Sequence, residues 1–231
     1  MKLKTVGSGS SGNCYILTNG TSHLVLDCGV PFQDIARAVN FTSSKIVGVL
    51  LTHEHGDHAK SVKELTRRGL KIYTSKGTNA AVGNCCIEMN CFESYTIGEF
   101  TVMPFDVPHD AAEPFGFMIS HKSFGVLVFI TDAMYCKYNF PNVRHLLVEA
   151  NHDIDMISDE KFLHDRIRKS HMSIDTCCEL VKINSATLET VTLLHLSDRN
   201  SDESSFVERI KQVSGVRVYC AEKGLSINLE M

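Results

Sequence analysis

The feature that most limits what this chain can become is a cluster of metal-seeking side chains set directly against an apolar strand. Residues Ile46 to Leu51 are almost continuously apolar, the pattern of a β-strand buried on both faces. The run Thr52-His-Glu-His-Gly-Asp-His58 follows at once. His53 and His55 are two apart, so in an extended segment their side chains share one face. Asp57 and His58 open an amphipathic segment, Asp57 to Arg68, that reads as a helix ended by Gly69, and Asp suits a helix start. Imidazole and carboxylate are the ligands expected for zinc, manganese or iron. Gly56 is expected to form a tight turn that brings the two pairs together. A polar loop carrying ordinary surface histidines is the bland alternative, but three histidines and one aspartate within six positions argue against it. The spacing also differs from H-E-x-x-H, where two histidines four apart share one helix.

The 231 residues are enough for one large domain or two small ones, and 43% hydrophobic against 22% charged residues allows a substantial core. No linker, repeat or low-complexity tract divides the chain, so one domain over residues 1–231 is expected. No run of ~18 apolar residues is present, so no membrane span is expected, and the first residues lack the apolar core of a signal peptide. A cytoplasmic protein is the expectation. The nine cysteines include adjacent pairs at Cys85-Cys86 and Cys177-Cys178 and no C-x-x-C. Small buried thiols in a reducing compartment explain them better than a disulfide or zinc framework. A net charge of −4 argues against a large basic surface for nucleic acid. It leaves a phosphate substrate open, because bound metal would supply local positive charge.

Short β-type runs fill the first third: Leu3 to Val6, Cys14 to Thr18 and Ser22 to Leu26, with Asn19-Gly20 as a hairpin signal. Pro31 to Val39 reads as a helix and Leu70 to Tyr73 as a strand. Phe100 to Val107, Gly116 to Ser120 and Phe124 to Thr131 continue the β character. The final third alternates strands (His145 to Glu149, Thr190 to Leu194, Val216 to Cys220, Leu225 to Leu229) with helices (Ser173 to Ile183, Ser201 to Val213). Two β-rich halves, each followed by helices, predict two sheets packed face to face and covered by helices. Motifs at strand ends would then meet along one edge.

The spacing His53-x-His55-x-Asp57-His58 resembles the hallmark of the metallo-β-lactamase superfamily, and further motifs follow in that superfamily's order. Asp27 in Leu-Val-Leu-Asp-Cys-Gly, His109 in Val-Pro-His-Asp, Asp132 in Phe-Ile-Thr-Asp and His195 in Leu-Leu-His-Leu-Ser each match one. The resemblance implies an α+β fold, the four-layer αββα sandwich, and two divalent metal ions, zinc or manganese. One would be held by His53, His55 and His109 and the other by Asp57, His58 and His195, with Asp132 bridging. Asp27 would orient a ligand histidine.

Fold and metals do not fix the substrate. Gly7-Ser-Gly-Ser-Ser-Gly-Asn13 lies between two early strands. A plain turn is one reading. The functional one is a loop whose Ser10, Ser11 and Asn13 hold phosphate oxygens. It is not a P-loop, since no Gly-Lys-Ser/Thr follows. His171 precedes Ser173, a good helix N-cap. His171 is read as a capping or surface histidine, or as a proton donor or phosphate ligand beside the metals, and Ser173 as a further substrate group. Together with Glu149-Ala-Asn-His-Asp153, these features resemble the YycJ/WalJ family of phosphodiesterases and exonucleases, related to ribonuclease Z and β-CASP nucleases. The chain departs from that family's pattern at Met134, at His171-Met-Ser-Ile174 and at Ser201, which bears on the substrate and leaves the metal set intact.

The expected activity is phosphodiester hydrolysis of nucleic acid by a metal-activated hydroxide, with Asp57 orienting the nucleophile and His171 protonating the leaving oxygen. Arg166, Arg168, Lys169 and Arg199 would steer a phosphate backbone or else form a solvated charged face. A small-molecule phosphodiesterase and a thioester or lactam hydrolase on the same metals are the alternatives. A diiron reductase is disfavoured because that branch carries Glu where His55 stands, together with a fused flavin domain. A non-catalytic binding module is disfavoured because every ligand position is kept.

Overall fold

In the computed structural model, which describes residues 1–157, 167 and 169–229, two seven-stranded mixed sheets lie face to face. The first holds β1 (Lys2–Gly7), β2 (Cys14–Thr18), β3 (His23–Leu26), β4 (Ile46–Leu50), β5 (Ile72–Thr74) and β6 (Ile87–Glu88). The second runs through β7 (Tyr95–Ile97), β8 (Phe100–Asp106), β9 (Phe115–His121), β10 (Gly125–Ile130), β11 (Val143–Glu149), β12 (Thr190–Leu194) and β13 (Arg217–Cys220). The last strand, β14 (Ser226–Asn228), returns to the first sheet and pairs antiparallel with β1. β3 to β6 are parallel, as are β10 to β13.

The alternation of side chains explains why central strands are apolar at nearly every position. On β2, Tyr15 and Leu17 enter the core between the sheets, while Cys14 and Ile16 face the outer layer with Ile35, Val62 and Leu65. On β10, Leu127 and Phe129 point inward, while Val128 and Ile130 pack with Ile174, Val181, Phe206 and Ile210. Helices Phe32–Ala38 and Val62–Arg67 therefore cover the first sheet, and Ile174–Asn184 and Glu203–Ser214 the second. This is the four-layer αββα sandwich. All nine cysteines are free thiols. Among the described residues no helix is long and apolar enough to cross a membrane.

Three local differences from the sequence reading have physical causes. The expected helix Asp57 to Arg68 is two pieces, Gly56–Ala59 and Val62–Arg67. The carbonyls of Asp57 and His58 accept from the N–H groups of Asn13 and Cys28 (2.7 and 2.8 Å), so they are lost to the helix ladder. Gly56 makes no tight turn: it sits in the first helical turn and does not take a positive φ. The short helix Lys76–Val82 and the edge strands β6 and β7 were not anticipated, because none has an apolar stripe of readable period.

At the far end of β11, His145 is 1% exposed and its Nδ1 bonds Thr190 Oγ1 at 2.8 Å. Burial, helped by the charge of Arg144, lowers its pKa to about 4. The unfolded chain takes up this proton below about pH 6.5, and the folded chain does not until about pH 4. Stability from this group is therefore intact above pH 6.5 and is lost as the pH falls towards 4, by about 3 kcal/mol at most. Urea unfolding at pH 7.5 and pH 5 is expected to show a larger loss in the wild-type protein than in His145→Gln.

Candidate metal centre

The carboxyl ends of the two parallel runs open onto the same edge of the sandwich, the usual place for a site in such sheets. Asp27 follows β3, His53 follows β4, Asp132 follows β10, Glu149 ends β11 and His195 follows β12. Asp27, Asp132 and His195 all take left-handed backbone, with φ of 55°, 46° and 52°. That conformation costs roughly 1–2 kcal/mol per non-glycine residue, somewhat less for Asp. It turns the chain sharply at the strand end and sets each side chain into the gap between the sheets.

The seven expected ligands meet there in two groups. His53, His55 and His109 bring their nitrogens together, as do the donor atoms of Asp57, His58, Asp132 and His195. His55 Nδ1 is 3.2 Å from His109 Nε2. Asp57 Oδ2 lies 3.6 Å from His58 Nε2 and 3.7 Å from His195 Nε2. Asp132 stands between the groups. Its Oδ2 faces His109 Nε2 and His53 Nε2 at 3.8 and 3.9 Å, while its Oδ1 is 3.3 Å from His58 Nε2.

Outer contacts fix which ring nitrogen each histidine offers. His58 Nδ1 donates to Asp27 Oδ2 at 2.8 Å, and Asp27 is itself held by the Thr52 N–H and hydroxyl. His53 Nδ1 lies 3.0 Å from Thr52 Oγ1, and His109 Nδ1 donates to the Ser170 carbonyl at 2.7 Å. His195 Nδ1 donates to Glu149 Oε1 at 3.0 Å. Each of these four rings thus turns Nε2 towards the centre.

The arrangement fits metal. Among the described residues, the buried Nε2 atoms of His53 and His195 have no hydrogen-bond partner, which is costly unless something else satisfies them. Two donors each about 2.1 Å from one tetrahedral ion lie about 3.4 Å apart, close to the spacings within each group. The charges agree. Burial opposes a proton on His58, but Asp132 and Asp27 overcome it and hold the pKa well above the usual value. Burial likewise opposes charge on His195, and Asp132, Asp57 and Glu149 raise it to about 10. Burial and the neighbouring His58 hold His53 well below. In the metal-free protein, protons on His58 and His195 balance the carboxylates, and a divalent cation would displace them.

The other expected residues fall differently. His171 lies at the rim, its Nδ1 donating to Glu149 Oε1 at 2.7 Å. Ser10 is exposed and lines the cavity of about 310 Å³ over the centre, with His55, Asp57, His109 and His171. Ser11 is exposed and does not line it. Asn13 and Ser173 are not placed as substrate groups. Asn13 is fully buried, with its amide engaged by Gly9, Tyr15 and His58. Ser173 is 9% exposed, and its hydroxyl caps the helix Ile174–Asn184 by accepting from Thr176 N–H. Lys169 is exposed, and Arg199 lines a second cavity of about 320 Å³ that shares Ser10, His171 and His195 with the first. Arg166 and Arg168 lie outside the described residues.

The sequence reading missed Glu149 and Ser8 as site residues. Glu149 is fully buried, with one oxygen holding both His171 and His195 and the other accepting from the Ala133 and Met172 N–H groups. A lone acidic residue ending an apolar strand was the available signal.

The fold and this donor cluster define a class. The metallo-beta-lactamase superfamily model matches residues 7–71, and the protein carries a metallo-β-lactamase domain. Among individual proteins it is similar to exodeoxyribonuclease WalJ of Streptococcus pneumoniae serotype 2, 29% identical over 87% of this chain and 83% of that one. It is similar to exodeoxyribonuclease YycJ of Bacillus anthracis at 28% identity, over 88% and 85%. The fold is shared with YhfI from Bacillus subtilis (TM-score 0.79, 20% identity, 98% and 99% of the two chains). It is shared also with the short form of human tRNase Z (TM-score 0.71, 16% identity, the full length of both). Domain, donor set and relatives together make the chain a metal-dependent hydrolase.

Proposed function

We propose that the protein is a two-metal phosphodiesterase that acts on nucleic acid, with DNA the favoured substrate because its curated relatives are named exodeoxyribonucleases. The observation that carries this reading is Asp132, whose two oxygens face two separate groups of imidazoles. His53, His55 and His109 would hold one ion, Asp57, His58 and His195 the other, and Asp132 both; zinc and manganese suit this donor set. Bound there, such cations would act as Lewis acids that make water nucleophilic near neutral pH and offset charge on phosphate oxygens.

The chain's own groups do the rest. Asp57 is partly exposed to the cavity and orients the attacking water. His171 has its Nδ1 tied to Glu149, so its Nε2 is the nitrogen left to face the leaving oxygen. Burial opposes a proton on His171, but Glu149 holds its pKa above the usual value, which favours the protonated ring this role requires. The strand leaves the reacting phosphate through the second cavity, past Ser197, Arg199 and Asn200.

The test is a time course on end-labelled single- and double-stranded DNA and RNA, with manganese, zinc or magnesium added to stripped protein. Cleavage is expected from the wild type and not from His58→Ala. His171→Ala is expected to lose about 10²-fold or more on oligonucleotides. It should lose much less on bis-p-nitrophenyl phosphate, whose leaving group needs no proton. Metal-loaded protein that opens thioesters or lactams and cuts none of the nucleic acids would sink this reading.

A further inference from the structure

The glycine-serine loop between β1 and β2 reaches the centre mostly from beneath. Ser8 Oγ accepts the His195 backbone N–H at 3.0 Å, across 187 residues of sequence. The same hydroxyl is 2.8 Å from the Tyr15 hydroxyl, which donates to Asn13 Oδ1 at 3.3 Å. Asn13 Oδ1 can only accept, so the chain of bonds runs one way, from His195 through Ser8 and Tyr15 to Asn13. That direction, together with the Gly9 N–H on the same oxygen at 2.8 Å, fixes the amide. Its Nδ2 is then a donor, given to the Gly9 carbonyl at 3.1 Å and to Asp57 Oδ2 at 3.5 Å, and it packs 3.0 Å from His58 Nε2.

The three residues touched are His195, His58 and Asp57, the members of the second group other than the shared Asp132. The loop makes no hydrogen bond to His53, His55 or His109. His53 rests on Thr52 and His109 on the Ser170 carbonyl instead, and His55 Nδ1 faces His109 Nε2. Tyr15 is fully buried between the sheets, so its hydroxyl is anchored by the packing of the ring.

We propose that Ser8, Tyr15 and Asn13 form a brace that positions the second donor group alone and so sets how tightly the second cation is held, independently of the first. This rests on the two-metal reading above. Outer partners of metal ligands typically change affinity by about 10–100-fold. The brace makes that effect fall on one site only, because its bonds end on one group.

The experiment is manganese binding to stripped, full-length protein by equilibrium dialysis and by calorimetry, comparing wild type with Ser8→Ala and Tyr15→Phe. Both substitutions delete a hydroxyl and keep the shape. Far-UV circular dichroism and melting of the metal-free proteins check folding, and Tyr15→Phe carries the test if Ser8→Ala fails to fold. Wild type is expected to bind two ions. The variants are expected to hold the first at wild-type affinity and the second about 10–100-fold more weakly. Two ions bound by the variants at unchanged affinity overturn the brace and leave the two-metal reading standing. Equal weakening of both ions overturns it also, since the loop would then support the fold at large. A wild type that binds one ion removes the two-metal reading and the brace with it.

Discussion

Asp132→Asn is expected to give a folded protein that has lost phosphodiester hydrolysis by a factor on the order of 10³ or more. The side chain keeps its volume, so the packing after β10 survives. What changes is one charge and one donor atom. The carboxylate stands 3.3 Å from His58 Nε2 and 3.8 and 3.9 Å from His109 and His53 Nε2. An amide can offer its oxygen to only one of the two groups and must turn an N–H towards the other. It also removes the charge that holds His58 and His195 above their usual pKa values. Metal content by mass spectrometry should therefore fall together with activity. A variant that kept two tightly bound ions and a tenth of the activity would show that Asp132 does not join the groups.

The second large effect is steric and lies away from the charged atoms. A Cβ at Gly29 would stand 1.6 Å from the Asp57 carbonyl oxygen and 2.2 Å from its carbon, both backbone. Neighbouring segments stack in the same way: a Cβ at Gly12 would lie 2.4 Å from Gly29 O, and one at Gly7 would lie 2.4 Å from Gly12 O. These close approaches let Asn13 N–H reach Asp57 O at 2.7 Å and Gly29 N–H reach Asn13 O at 2.9 Å. Gly29→Ala must push the Asp57–His58 turn away from the loop beneath it, at a cost of about 4 kcal/mol or more. For a chain of this size that is a fall in melting temperature of about 10 °C, with loss of the second donor group. Gly56→Ala is the contrast. Among the described residues nothing lies within 4 Å of that Cβ, and the residue is helical, so it should be neutral or stabilising by up to about 1 kcal/mol. Thermal melts of the two variants, metal-free and metal-loaded, check both. A Gly29→Ala melt within about 2 °C of wild type would show that the turn yields cheaply.

His53, His55, Asp57 and His58 were legible in the sequence because they are contiguous and follow a strand whose unbroken apolar run announces burial on both faces. Every strand but the short edge strands β6 and β7, the two outer helices of each half and the layer order followed from side-chain period, which depends only on local geometry. Asp27, Asp132 and His195 could be aligned along the sequence but not joined by it. Their meeting depends on two sheets that pair strands far apart in the chain, as when β14 returns to β1. The buried partners were the least legible. Glu149 reads as one acid at the end of a strand until the fold brings His171 and His195 to the same oxygen. Asn13 reads as a loop amide exposed to substrate until Gly12 and Gly29 allow the backbones to close over it.

The sequence alone determined the kinds of donor atoms, their order and the layers that carry them, because composition and period are local properties. Only the tertiary structure decided which donors share an ion, which nitrogen each ring presents and which polar groups are sealed away from substrate. Those outcomes depend on distances of a few ångströms between segments as far apart as Ser8 and His195, and no local pattern encodes them.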